Sequence, residues 1–330
     1  MPVRYAINTV LLALLLLAGS ALLSAGVFGR AQTSVIMQIG VYIILAVSLN
    51  VATGYLGQLP LGHAGFMAVG AYAGAILWKA LPEGSLSAVA GIIFGGITAA
   101  VFGLIIGIPA LRLKGDYLAI ITLGFGEIIR IAIVNLSGIT GGAPGLKKIP
   151  KYSNFTLVYI CVILTCVIIH MFMKSRHGRA ILSIRENEIA AESCGVNTTY
   201  YKVMAFTASA FFAGIAGTLY AGNQGIIAPS EFGFLKSIDI LVMVVLGGMG
   251  SMIGSIVSAA VLTALPLFLQ SSLKGFNDYR MIIYSLLLIL VMIFKPSGLF
   301  GTYDFSLSFL IEKLGVKKSA KGEKQDGAKA

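Results

Sequence analysis

The stretch Leu86–Leu111, LSAVAGIIFGGITAAVFGLIIGIPAL, contains no charged residue. It exceeds the about 20 apolar residues with which a helix crosses the hydrocarbon core of a bilayer. Similar runs occupy Ile7–Val27, Val35–Thr53, Leu61–Ala80, Tyr117–Leu136, Phe155–Met173, Val203–Gly222, Ile238–Gly247, Met252–Leu269 and Met281–Phe294. Ile238–Gly247 is too short to span, so it either merges with the next run or forms a broken or re-entrant helix. Ile7–Val27 is long for a signal peptide and reads as an uncleaved first span. The expected fold is an all-α polytopic membrane protein of about 8–10 transmembrane helices with Gly-rich broken or re-entrant segments. A transmembrane domain is expected over residues 1–304. Residues 305–330, rich in Lys, Gly and Glu, read as a disordered basic tail.

Composition supports lipid as the main solvent. The 330 residues are 57% hydrophobic and 11% charged, whereas a soluble domain carries about 25% charged residues. The net charge of +11 does not indicate nucleic acid, because the basic residues separate apolar runs instead of forming one patch. With ten spans and a cytoplasmic N-terminus, fifteen of the 24 Lys and Arg fall inside, eight outside, and Arg130 within a span. That bias follows the positive-inside rule and leaves both termini cytoplasmic. Cys161, Cys166 and Cys194 lack zinc or disulfide spacing. No cluster has metal-ligand spacing, and no nucleophile–base constellation points to an enzyme.

Forty glycines let transmembrane backbones approach closely, as at Gly70-x3-Gly74, Gly91-x3-Gly95 and Gly250-x3-Gly254. Two clusters are denser. One runs from Gly54 to Gly65 and includes Gln58, Pro60 and His63. The other runs from Gly247 through Gly248 and Gly250 to Gly254. Each is either a surface turn or irregular backbone along a watery path, where transporters place solute sites. Glu127 and Arg130, three apart within a span, share a helix face. They either lock helices together or line the route. His63 fits packing or capping better than proton relay, and Asp239 marks a span entrance.

The longest polar segment between spans is the loop Lys174–Lys202. Arg185–Cys194 reads as a short exposed helix ended by Gly195. Ala190 and Ala191 leave a smooth patch suited to a partner's groove, and a solvated connector is the other reading. The segment resembles the coupling loop of ABC importer permeases, Glu-Ala-Ala-x3-Gly: Ala190, Ala191 and Gly195 match, while Glu188 stands one position early. The chain further resembles the branched-chain amino-acid ABC permeases through five ordered motifs. These are Gly57–Ala64, Arg112–Arg130, Thr140–Leu146, Arg185–Glu188 and Leu246–Ser251, with Pro60 in place of the more usual Ser.

That resemblance implies a multi-pass protein of the bacterial inner membrane working as a permease. It implies a paralogous permease subunit in a heterodimer, two cytoplasmic ATPase subunits and an extracytoplasmic binding protein delivering leucine, isoleucine or valine. The coupling residues it implies are Arg185, Glu186, Glu188, Ala190, Ala191 and Gly195. Pathway candidates are Gln58, His63, Glu127, Arg130, Asp239, Gly247, Gly248 and Gly250. The chain lacks Gly-x4-Gly-Lys-Ser/Thr, so no cofactor is expected here and ATP with Mg²⁺ belongs to the partner ATPases. Urea, short amides or other amino acids are alternative cargoes, and an ion-coupled carrier is the rival class.

Overall fold

A computed structural model describes residues 30–82, 84–113 and 115–272, together with 289, 293 and 298. The expected first run, Lys114 and the tail 305–330 lie outside the described residues, as does the tenth run apart from residues 289 and 293. Among the described residues the secondary structure is helical apart from one isolated antiparallel bridge between Leu146 and Ile227. Helix α1 (Arg30–Asn50) continues as a π-helical turn, Val51–Tyr55. There follow α2 (His63–Ala80), α3 (Ser85–Ala110), α4 (Asp116–Asn135), the single turn α5 (Ser137–Thr140) and α6 (Phe155–Lys174). The polar loop folds as α7 (Arg176–Glu186) and α8 (Glu188–Ser193). Last come α9 (Thr198–Gln224), a 3₁₀ turn Pro229–Phe232, α10 (Phe234–Gly247) and α11 (Met252–Ser272).

Five of these are long and apolar enough to cross a membrane: Gln32–Tyr55, Ser85–Ala110, Asp116–Asn135, Phe155–Lys174 and Thr198–Gln224. The expected short run is settled as a broken helix. Helix α10 has 14 residues, about 21 Å at 1.5 Å per residue, against a hydrocarbon core of about 30 Å. It stops because Gly248 (φ 107°) and Gly250 (φ 89°) take left-handed backbone that side-chain-bearing residues avoid.

Helices α1 and α9 form the interior, and α3, α4 and α6 the outside. Helix α9 is buried on almost every face, from Ala205 to Asn223. Helix α3 is one-sided in the sense opposite to a soluble helix. Its inward stripe is small (Ala88, Gly91, Gly95, Ala99, Gly103, Gly107), while Ile93, Phe94, Ile97, Val101, Ile105 and Ile108 point outward. Lipid tails accept large apolar side chains, so packing rather than hydrophobicity selects what faces inward. The small stripe lets α2, α3 and α9 meet backbone to backbone. A β-carbon at Gly70 would fall 2.3 Å from Gly214, and one at Gly95 would fall 2.0 Å from Thr218 Oγ1. The Thr218 hydroxyl donates to Gly70 O at 2.9 Å, closing the junction.

This junction generates a stability test. A β-carbon at Gly214 would lie 2.4 Å from Gly95 O and 2.5 Å from Ala99 Cβ. Gly214→Val is therefore expected to cost about 1–3 kcal/mol or more, read as a lowered Tm in detergent. Gly124 has nothing within 4 Å of its added β-carbon, so Gly124→Ala should leave Tm unchanged or raise it slightly.

Candidate functional site

The two glycine clusters meet. Asn50, the last residue of α1, is fully buried. Its Oδ1 accepts from Gly250 N at 2.9 Å and its Nδ2 donates to Ser251 O at 3.1 Å. The turn after it widens to a π-helix, with Leu56 N donating to Val51 O. Gly54 then packs so closely that a β-carbon would lie 1.9 Å from Asn50 Oδ1 and 2.2 Å from Gly250 N. Across the other break, Gly247 and Gly254 touch: a β-carbon on Gly254 would sit 2.0 Å from Gly247 O. Where the two clusters meet, at Gly54 and Gly250, irregular backbone is packed within protein, while Gly57, Leu59 and Met249 are exposed.

Beyond Pro60 the first break runs along α4. Leu61 N donates to Thr122 Oγ1 at 3.0 Å, and a β-carbon at Gly62 would lie 2.1 Å from Thr122 O. Ala64 N donates to Ser237 Oγ of α10 at 3.0 Å, and Gly65 lies against Gly126. Next to Gly126, a cleft of about 440 Å³ opens, lined by Glu127, Arg130, Glu231, Phe234, Leu235, Lys236 and Asp239. A second, much smaller space of about 10 Å³ lies among Leu61, Leu123, Gly126, Phe232 and Ser237. It shares Glu127, Gly233 and Phe234 with the cleft and forms its floor on the side of the break.

The cleft carries both signs of charge. Arg130 Nε donates to Glu127 Oε2 at 2.7 Å, with each side chain about one-third exposed, so the pair both bridges one helix face and lines the cleft. Tyr220 OH donates to Glu231 Oε2 at 3.2 Å. The Lys236 ammonium contacts the Tyr42 hydroxyl and lies 4.8 Å and 5.7 Å from the ring centroids of Tyr42 and Tyr220. Cation–π attraction holds such a charge without neutralising it, and among the described residues Lys236 forms no ion pair.

The polar loop differs from the single helix expected over Arg185–Cys194. Asn187 (φ −159°, ψ 109°) interrupts it, and its Oδ1 caps the new helix by accepting from Ala190 N at 3.1 Å. Asn favours such caps because its side chain replaces the missing backbone acceptor. Gly195 ends α8 as expected, in the left-handed region at φ 83°. The loop residues then separate by direction. Glu188 Oε1 receives a hydrogen bond from Lys202 Nζ at 2.7 Å, stapling α8 to α9. Ala191 is buried, Ala190 and Glu186 are exposed, and Ile189 at the tip is 74% exposed. Arg185 turns inward, its Nη1 donating to Gly54 O at 2.8 Å.

Of the pathway candidates, Glu127, Arg130 and Asp239 come together in the cleft, and Gly247, Gly248 and Gly250 form the second break. Gln58 stands in the first break, its N–H donating to Ala52 O at 3.0 Å. His63 is 2% exposed with Nε2 3.0 Å from Ser48 Oγ, a packed position away from the cleft. Sequence reasoning missed Asn50, Lys202, Glu231 and Lys236. A lone buried amide just before a glycine cluster was the available signal for Asn50. Lys202 had the signal of a basic residue at the edge of an apolar run.

Comparison with known proteins gives a consistent result. Residues 31–292 match the family described as branched-chain amino acid transport system / permease component. The high-affinity branched-chain amino acid transport system permease protein LivM of Salmonella typhimurium is 38% identical over 78% of this chain and 67% of its own length. LivM of Escherichia coli matches equally, at 38% over the same shares. The Escherichia coli permease protein LivH of that system is 24% identical over 79% of this chain and 91% of its own.

The Glu188–Lys202 staple is asymmetric: the lysine side chain is 5% exposed and the glutamate 26%. Removing the partner of the more buried charge leaves the larger desolvation cost. Glu188→Gln is therefore expected to destabilise α8 more than Lys202→Met does. Hydrogen exchange of the α8 amides, compared between the two variants, checks the order.

Proposed function

The chain belongs to the branched-chain amino acid transport system / permease component family, and on that premise we propose that it is a transmembrane subunit of an ATP-binding cassette importer for leucine, isoleucine and valine. The observation that carries the reading is the family match across nearly all described residues. The membrane is the bacterial inner membrane, with the α7–α8 end in the cytoplasm, an orientation supported by the bias of Lys and Arg.

With no phosphate-cradling loop in the chain, the energy comes from separate ATPases, two of them, docked on this end. Ile189 supports that reading. An apolar side chain 74% exposed at the tip of a capped helix fits a groove in a soluble partner. A paralogous permease completes the membrane core, and an extracytoplasmic binding protein delivers the amino acid to the cleft. There Lys236 and Arg130 offer cations to an α-carboxylate, Glu231 and Asp239 offer carboxylates to an α-ammonium, and Phe234 and Leu235 offer apolar surface. Passage beyond the cleft requires its floor of about 10 Å³ to widen, so ATP-driven rocking between two states controls the route.

The direct test is leucine uptake by proteoliposomes holding this chain, a paralogous permease and two ATPase subunits, with binding protein outside. Uptake is expected only with ATP and all subunits; uptake that persists without the ATPases would refute the reading. Within that system Ile189→Asp should weaken ATPase retention about tenfold, the scale of one interface anchor, measured by titrating the ATPase onto the purified permease pair. Lys236→Gln should raise the KM for binding-protein-delivered leucine about tenfold, the scale of a charge-assisted hydrogen bond, with Lys236→Arg retaining most of the wild-type value.

A further inference from the structure

Arg185 sits in the loop that faces the ATPases, yet its side chain reaches away from the exposed Ile189 and into the membrane domain. Its Nη1 donates to the carbonyl of Gly54 at 2.8 Å. A β-carbon at Gly57 would lie 3.2 Å from Arg185 Cγ, and one at Gly250 would lie 3.0 Å from Nη1. One side chain therefore touches both glycine breaks at once. The Gly54 carbonyl needs this donor, because the chain leaves its helical path after Tyr55 and no later turn supplies an N–H. Gly54 is a buried residue, so its carbonyl loses a partner if this donor leaves. The Arg185 side chain itself is 32% exposed, and its Nε lies 3.9 Å from Glu186 Oε1.

The contact has a continuation. Within Gly54–Gly65 the backbone is anchored at Gln58, whose N–H donates to Ala52 O, and again from Leu61 onward. It is tied to α4 through Leu61 N and Thr122, pressed on Thr122 O at Gly62, and tied to α10 through Ala64 N and Ser237. It ends against Gly126, the residue before Glu127 of the cleft. A displacement of Arg185 is carried along this short connection toward the narrow space beside Leu61 and Ser237. Glu188 cannot take this role, since it is stapled to Lys202 of α9.

We propose that Arg185 is a positioning residue that transmits movement of the docked loop to both glycine breaks and thence to the cleft floor, which rests on the loop being the ATPase dock. Arginine suits the task because its planar fork bonds a carbonyl while its stem fills the groove beside Gly57. Lysine offers a donor without the fork.

The test uses the complete transporter in proteoliposomes and three readouts: ATPase retained on purification, ATP hydrolysed, and leucine moved per ATP. Arg185→Gln is expected to retain the ATPase and hydrolyse ATP, while leucine moved per ATP falls about tenfold or more, the scale of a lost charge-assisted hydrogen bond. Arg185→Lys should restore part of that ratio. Gly57→Ala, on an exposed residue, places a β-carbon 3.2 Å from Arg185 Cγ and should also lower the ratio with the ATPase still bound. Gly115→Ala, likewise at positive φ but with nothing within 4 Å, should not. An unchanged ratio in Arg185→Gln overturns the proposal, as does loss of the ATPase in that variant, which makes Arg185 a docking residue. If Arg185→Gln fails to assemble, an unchanged ratio in Gly57→Ala overturns it. A wild-type complex that binds no ATPase refutes the importer reading itself, independently of Arg185.

Discussion

The side-chain amide of Asn50 holds together two pieces of backbone that a membrane would otherwise forbid. In hydrocarbon every N–H and C=O must find a partner within the protein, which is why spanning segments are helices. Among the described residues, the chain's glycine clusters interrupt helical backbone after Tyr55 and after Gly247. At the meeting of the breaks, Asn50 donates to one backbone group and accepts from another. Close approach is the second requirement. With Gly54 only 2.2 Å from Gly250 N, measured from its would-be β-carbon, any larger residue would push the breaks out of hydrogen-bonding range.

The rest of the fold divides into an interlocked glycine-striped part and the short broken helix α10 with its flanking turns. The first is α2, α3 and α9, whose glycine stripes interlock and are fastened by Thr218 and by Trp78 Nε1 donating to Ala88 O at 3.2 Å. The other part is α10 and its flanking turns, set between the cleft and the breaks. Its ties to the neighbouring segments include the Ser237 hydroxyl, the Asn50 amide and the Lys236–Tyr42 contact. A domain that must alternate between two arrangements needs a frame that keeps its shape and an element with bonds that can be exchanged. Helix α10 carries such bonds beside the apolar packing of Ile240, Val244 and Leu246.

Much of this was legible in the sequence, and the limits have physical causes. Apolar runs located the helices because lipid imposes one length and one composition on spans. Glu127 and Arg130 could be paired on spacing alone, since helix geometry fixes i and i+3 neighbours. The break at Asn187 was harder to see, because a capping asparagine and a mid-helix asparagine look alike until the backbone angle is known. Nor does any local pattern reveal that Gly54 meets Gly250, a contact between residues nearly two hundred positions apart. Arg185 and Glu188 stood in one motif and were read as one surface. The structure sends the first to the breaks and the second to α9, so a shared motif concealed two directions of force.

The contact of Gly247 with Gly254 carries a consequence for motion. Where helices interdigitate side chains, sliding one past another means every knob must leave its hole and every rotamer must change. Here the facing surfaces are bare backbone, a joint without teeth. At that point a small pivot needs no side chain to leave a hole. One turn along, the bond that the Ser258 hydroxyl donates to Met243 O follows or limits it. Larger side chains at either glycine would weld that bearing shut.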